Sequence, residues 1–99
     1  MKAGRVKPGM RNIDLKLEVI NKEETHTFES EDGEGRVATA LCKDDSGEVK
    51  VSLWNDEIDK VDVGDIIRIE DGYSRLFKDE VHVSAGRYGK LEVISGSNE

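Results

Sequence analysis

With one cysteine in 99 residues, Cys42, the chain can form no internal disulfide. Its two histidines, His26 and His82, lie far apart, so the spaced ligands of a structural zinc site are missing and neither metal nor cofactor is expected. Aliphatic runs reach only a few residues, too short to cross a bilayer, and the opening MKAGRVKPGM lacks the apolar stretch of a signal peptide. These absences point to a reducing, cytoplasmic setting away from membranes. Positive charge is also scarce: the net charge is −7, which on its own speaks against a polyanionic partner, because phosphate binding leaves a basic footprint. Glutamine is absent while Lys, Glu and Asp abound, a bias that suits a heat-adapted source.

What is there is patterned. The chain is 37% charged and 35% hydrophobic, but the apolar residues are gathered in alternating runs, so one domain with a modest core is expected over residues 1–94, with residues 95–99 a disordered tail. Ile13, Leu15, Leu17 and Val19 mark a first strand. A polar stretch, NKEETHTFESEDGEG, reads as a long loop or an extended hairpin tip. Arg36 to Lys43 forms a second strand, DDSG a tight turn, and Glu48 to Trp54 a third strand. Asn55 is placed to cap a short helix carrying Ile58 and Val61. Ile66 to Glu70 and Val81 to Ala85 supply the fourth and fifth strands, and Leu91 to Ile94 can extend the sheet. Five strands, a short helix between the third and fourth, and no long helix give an all-β chain in the element order of a small closed barrel such as the OB-fold, which the helix position favours over an SH3-like barrel or a half sandwich.

Alternation also sorts the faces. In EVKVSLWNDE, Val49, Val51 and Leu53 share one parity and Lys50, Ser52 and Trp54 the other, so a core built on the aliphatics leaves the only tryptophan facing out. An even-numbered turn at Asp44 to Gly47 puts Thr39, Leu41 and Lys43 on that outer face and sends Ala38, Ala40 and Cys42 inward, whereas a bulge reverses this. All five aromatics, Phe28, Trp54, Tyr73, Phe77 and Tyr88, fall outside the core parity. A domain that spends no ring on its core has placed its rings for another purpose.

The segment DGYSRLFKDE, read as the loop after the fourth strand, interleaves Tyr73 and Phe77 with Arg75 and Lys78. Flat rings accept stacked bases, and neighbouring cations neutralise the phosphates that come with them. Charge agrees locally: residues 31–60 hold nine acids against four bases, but residues 68–90 hold five bases against four acids. Other motifs carry less. GEGRVA matches a dinucleotide fingerprint but follows an acidic loop and enters a strand where the fingerprint needs a helix. His82 and Ser84 share a strand face with no acid or nucleophile placed beside them, and read as a surface pair. The acids from Glu23 to Glu34 read as a solvated loop that aids solubility.

KPGM at Lys7 to Met10, DDSGEVKVSLW, VGDIIRIEDGY, and Phe77 with Lys78 together resemble the single-OB single-stranded DNA-binding proteins of archaea. They are equally similar to the OB domain of the human sensor-of-single-stranded-DNA complex, and more distantly to replication protein A. The likeness runs from about Val6 to Ile94. It implies that Trp54, Tyr73 and Phe77 stack on bases and that Arg87, in the GR after the fifth strand, contacts the strand. The family glycine after the Phe-Lys pair is Asp79 here, and an aromatic that some members carry late in strand five is Ser84.

The expected interface is therefore Trp54, Tyr73 and Phe77 with Thr39, Lys50, Ser52, Arg75, Lys78 and Arg87. The expected function is sequence-independent binding of single-stranded DNA in replication or repair, with protein partners in those processes and no reaction of its own. The setting is the nucleoid, or the nucleus in a eukaryote. Because a ring stacks on either kind of base, an RNA-directed OB domain remains open, and so does a protein-interaction domain anchored by Trp54 and Phe77.

Overall fold

The structure is a computed structural model described over residues 2–31, 33–86 and 89–95. Its strands are β1 (Ile13–Lys22), β2 (His26–Ser30), β3 (Gly33–Asp44), β4 (Gly47–Trp54), β5 (Ile66–Phe77), β6 (Glu80–Ser84) and β7 (Lys90–Ser95). A short helix, α1 (Asp56–Lys60), lies between β4 and β5, and a 3-10 turn spans Ala3–Arg5. No helix among the described residues is long and apolar enough to cross a membrane. The order β1-β3-β4-β6-β5 closes on itself because β1 also pairs with β5, giving the ring of strands of an OB-fold. Strand β7 adds to β5 outside that ring, and β2 pairs only with β3.

The aliphatic alternation builds the core. Ile13, Leu15, Leu17 and Val19 from β1, Val49, Val51 and Leu53 from β4, and Ile67 and Ile69 from β5 are all buried, joined by Ile58 and Val61 around α1. No aromatic ring enters the core cluster among the described residues. The β3–β4 turn has two residues, Asp45 and Ser46, between the paired Asp44 and Gly47. Its even length puts Ala38, Ala40 and Cys42 inside and pairs Thr39 with Ser52 and Val37 with Trp54 on the outer face. Burial pushes the Cys42 thiol up to about 12, which makes it a packing group without nucleophilic character.

Several segments differ from the sequence reading. The polar stretch after the first strand takes the extended-hairpin alternative and not the loop: it is an arm in which β2 and the first half of β3 pair from His26↔Val37 to Ser30↔Gly33. The fourth strand does not stop at Glu70. It runs on to Phe77 and turns through Lys78 and Asp79, both at positive φ (49° and 66°), into Glu80, as in a type I′ hairpin. A bulge makes this extension useful. Ile13 pairs with Gly72 but Leu15 with Ile69, so β5 carries one residue too many there, absorbed at Asp71 with φ 52°. Without it Tyr73 would share the inward parity of Ile67 and Ile69. With it Ser74 is buried, and Tyr73, Arg75 and Phe77 face out.

Asn55 precedes α1 but does not cap it through its side chain. Its Oδ1 instead accepts the Arg36 N–H at 3.1 Å, and Glu57 Oε1 accepts the Trp54 N–H at 3.0 Å. Strand β7 ends at Ser95, paired with Ile66, so the sheet reaches one residue into the expected tail; residues 96–99 lie outside the described residues. At the other terminus, Asp44 accepts the Ala3 N–H at 2.8 Å, Ser46 Oγ accepts the Gly4 N–H at 2.8 Å, and Lys2 pairs with Asp45 at 2.7 Å. The following KPGM turn docks on β5, where Ser74 Oγ donates to the Lys7 carbonyl and accepts the Met10 N–H at 3.0 Å.

Candidate nucleic-acid interface

The outer faces of β3, β4, β5 and β6 form one groove of about 480 Å³. Thr39, Lys50, Ser52 and Trp54 line it from β3 and β4, Arg75 and Phe77 from β5, with Lys78 in the turn and His82 on β6. Tyr73 lines an adjoining hollow with Asn55, Lys60 and Gly86, and Trp54 borders both spaces. The rings therefore follow the order Phe77, Trp54, Tyr73. Gly86, at φ 69°, leaves room for the tyrosine: a Cβ there would lie 3.0 Å from Tyr73 Cδ1. Arg87 and Tyr88 lie outside the described residues.

Buried polar groups on β6 support these rings. His82 and Ser84 are not a surface pair: they are 7% and 5% exposed, because the large rings of the outer face lie over them. The Trp54 indole N–H donates to Ser84 Oγ at 3.1 Å, and the Gly86 N–H donates to the same oxygen at 3.2 Å. His82 Nδ1 sits 3.3 Å from Ser52 Oγ, and Phe77 meets the imidazole edge-on with centroids 5.4 Å apart. Alternation identifies residues that share a face, but not which of them is covered by a neighbour from another strand. That is why these two polar residues read as exposed in sequence.

The charges are partly engaged. Lys50 pairs with Glu80, which raises the lysine's pKa and lowers that of the carboxyl through their hydrogen bond. Lys78 Nζ lies 5.5 Å from the centroid of the Phe77 ring. Burial lowers the His82 pKa; Lys50 and Arg75 act in the same direction, against Glu80 and Glu23. His82 is thus a neutral packing group near pH 7.

Phe28 joins the face beyond the residues expected from sequence. It stands on β2, 37% exposed, and meets the Trp54 ring edge-on at 5.8 Å between centroids and 82° between planes. The alternating THTFES was its only local signal, and the strand pairing that brings it to Trp54 is long-range.

A family model described as single-stranded DNA binding protein Ssb-like, OB fold, matches residues 6–93. The chain belongs to this Ssb-like OB-fold family. It is similar to the single-stranded DNA binding protein Ssb of Saccharolobus solfataricus, 27% identical over 94 residues that make up 95% of this chain and 64% of that protein. It also matches replication factor A of Methanothermobacter thermautotrophicus, 34% identical over 80 residues, 80% of this chain and 10% of that protein. The chain thus spans only 64% and 10% of the lengths of these two relatives, both named for DNA binding or replication. Among solved structures, the solution structure of the replication factor A related protein from Methanobacterium thermoautotrophicum superposes with a TM-score of 0.78. It is 25% identical and covers 95% of this chain and 89% of that one.

Proposed function

We propose that this Ssb-like domain binds single-stranded DNA without strong sequence preference and acts in replication or repair. Its mechanism is stacking of successive bases on Phe77, Trp54 and Tyr73, with Lys50, Arg75, Lys78 and Arg87 meeting phosphates and Thr39 and Ser52 offering hydroxyls beside the rings. The observation that carries this reading is the row of three outward rings along one groove and its neighbouring hollow, in a domain whose core cluster holds no aromatic ring among the described residues. Rings stack on any base, so the surface favours single strands over duplex, whose bases are already stacked. The domain binds and presents the strand, catalyses no reaction, and works in the compartment that holds the DNA.

The test uses the only tryptophan as reporter. An oligothymidine of about twelve bases, within the roughly 4–16 nucleotides that one OB-fold occupies, quenches Trp54 emission, while duplex of equal length competes poorly. Unchanged emission at micromolar protein, excess oligomer and low salt rejects the proposal. Equal affinity for a matching oligouridine moves the domain to general single-strand binding.

A further inference from the structure

We propose that Phe28, on the β2–β3 arm, is a fourth base-contacting ring of the strand-binding surface, a reading that rests on the proposed function above.

Register gives the arm two unlike faces. Cross-strand partners point to the same side, and Trp54 pairs with Val37, which pairs with His26. Counting on by twos along both strands puts Phe28 with Gly35, and Ser30 with Gly33, on the Trp54 side. The other side receives Glu29 with Glu34 and Thr27 with Arg36. Two of the acids of this stretch are therefore turned away, the Glu29–Glu34 pair lying on the back, while Glu23 at the base of the arm lines the main groove and the front of the arm is a ring flanked by glycines, a serine and a histidine. A polyanion can lie along such a front without meeting that carboxylate pair.

Gly35 is the second observation. Its φ is not positive, so no backbone conformation demands glycine there. The Phe28 ring occupies the space instead: a Cβ at Gly35 would come within 2.7 Å of Phe28 Cε2. The glycine seats the ring against the arm, with its edge-on contact to Trp54. The GEGRVA segment thereby finds a use unrelated to dinucleotides. Its first glycine, at φ 114°, follows the arm tip, and its second makes room for Phe28. Phe28 thus adds a ring on the arm beside Trp54, the middle ring of the row.

The test separates contact from support. Phe28→Ala, Gly35→Ala and the conservative Phe28→Tyr are compared for affinity toward oligothymidines of about four and about twelve bases, near the two ends of an OB-fold's usual footprint. Loss of one stacking ring predicts that Phe28→Ala binds the longer oligomer about 5-fold or more weaker. Gly35→Ala, which displaces the ring without removing it, moves in the same direction, and Phe28→Tyr stays near the parent. A Phe28→Trp, Trp54→Phe double variant carries its only indole on the arm, and the longer oligomer quenches it. If the parent binds but Phe28→Ala and Gly35→Ala bind equally well, the arm proposal is overturned and the proposed function stands. Weakened binding with no quenching at position 28 overturns the base contact, leaving Phe28 a support for Trp54. If the parent itself binds no single strand, both readings fall.

Discussion

The indole N–H of Trp54 donates to the hydroxyl of Ser84 at 3.1 Å, joining the end of β4 to the end of β6. These strands run parallel, with Lys50 opposite His82 and Val51 opposite Val83, so Ser84 comes up beneath the indole. Held at this edge, the ring has little rotamer freedom left to lose when a base stacks on it. Ser84→Ala should therefore weaken single-strand binding severalfold while lowering stability by about 1–3 kcal/mol, the net worth of the two hydrogen bonds that its Oγ accepts from Trp54 and Gly86. Oligonucleotide titration and urea unfolding on the same variant measure both effects. Unchanged affinity would show that the hydrogen bond does not prepare the ring.

Lys50 reaches the groove as the partner of Glu80, so a phosphate must compete with that carboxylate. Each single-strand phosphate neutralised contributes about 0.7 to the slope of log affinity against log salt, and the few cations of the groove predict roughly −2 to −3. Glu80→Gln should tighten binding at low salt and steepen that slope by about 0.7, since Lys50 then acts without a rival. Affinities measured over a range of salt concentrations check both changes.

The turn that carries Lys78 beside Phe77 holds Asp79 at φ 66°, a conformation that costs most L-residues about 1–2 kcal/mol and glycine almost nothing. Aspartate tolerates it better than most. Asp79→Gly should raise stability by up to about 1 kcal/mol, read as a higher denaturation midpoint. The substitution also removes a negative charge next to Lys78, so binding should strengthen slightly. A lower midpoint would mean that the gain of chain entropy in the unfolded state outweighs the relief of the turn.

The ring of strands was legible in sequence because it rests on local alternation. Val49, Val51 and Leu53 against Lys50, Ser52 and Trp54 required only a period of two, and the even-numbered turn at Asp45 and Ser46 carried the same parity into β3. Parity failed where a residue was inserted or a strand was covered. The bulge at Asp71 lets β5 run on to Phe77 with Tyr73 turned outward, and no propensity announces an aspartate at positive φ. His82 and Ser84 are buried by rings from other strands, a tertiary effect that no local window contains. The arm stayed open between a loop and an extended hairpin because β2 is exposed along its whole length, so burial imposes no hydrophobic alternation on it.

The N-terminal anchor should release in acid through Asp44. Burial alone would raise its pKa, but the Ser46 hydroxyl and the backbone N–H groups of Ala3, Ser46 and Gly47 outweigh that and hold the carboxyl at about 2. A carboxyl whose pKa is lower folded than unfolded contributes stability above its ordinary value near 3.8, and this contribution disappears as pH falls toward 2. Between pH 4 and pH 2, Asp44→Asn should therefore lose less stability than the parent, although it starts less stable at pH 7. Urea midpoints across that range test the difference, and parallel curves for the two proteins would remove Asp44 from the anchor.

Trp54→Ala, Phe77→Ala and Tyr73→Ala separate ligand rings from structural ones. Stacking on one aromatic is worth roughly 1–3 kcal/mol by alanine substitution, and each 1.4 kcal/mol is a factor of ten in affinity, so each variant should bind an oligothymidine about 5- to 150-fold more weakly. Truncating a buried Trp or Phe typically costs about 3–5 kcal/mol of stability. None of the three rings is in the core cluster, and Phe77 is 46% exposed. Phe77→Ala should thus leave the unfolding midpoint almost unchanged, losing its edge contact with His82 and the exposed contact of Lys78 with its ring. Trp54→Ala gives up more, the hydrogen bond to Ser84 and the contact with Phe28, yet the Gly86 N–H still reaches the Ser84 oxygen and no core cavity opens. Its cost should stay near 1–2 kcal/mol, the scale of one hydrogen bond and one aromatic pair. A Trp54→Ala protein that unfolds as easily as one with a core cavity, or that binds as tightly as the parent, would make the tryptophan structural and leave the groove without its central platform.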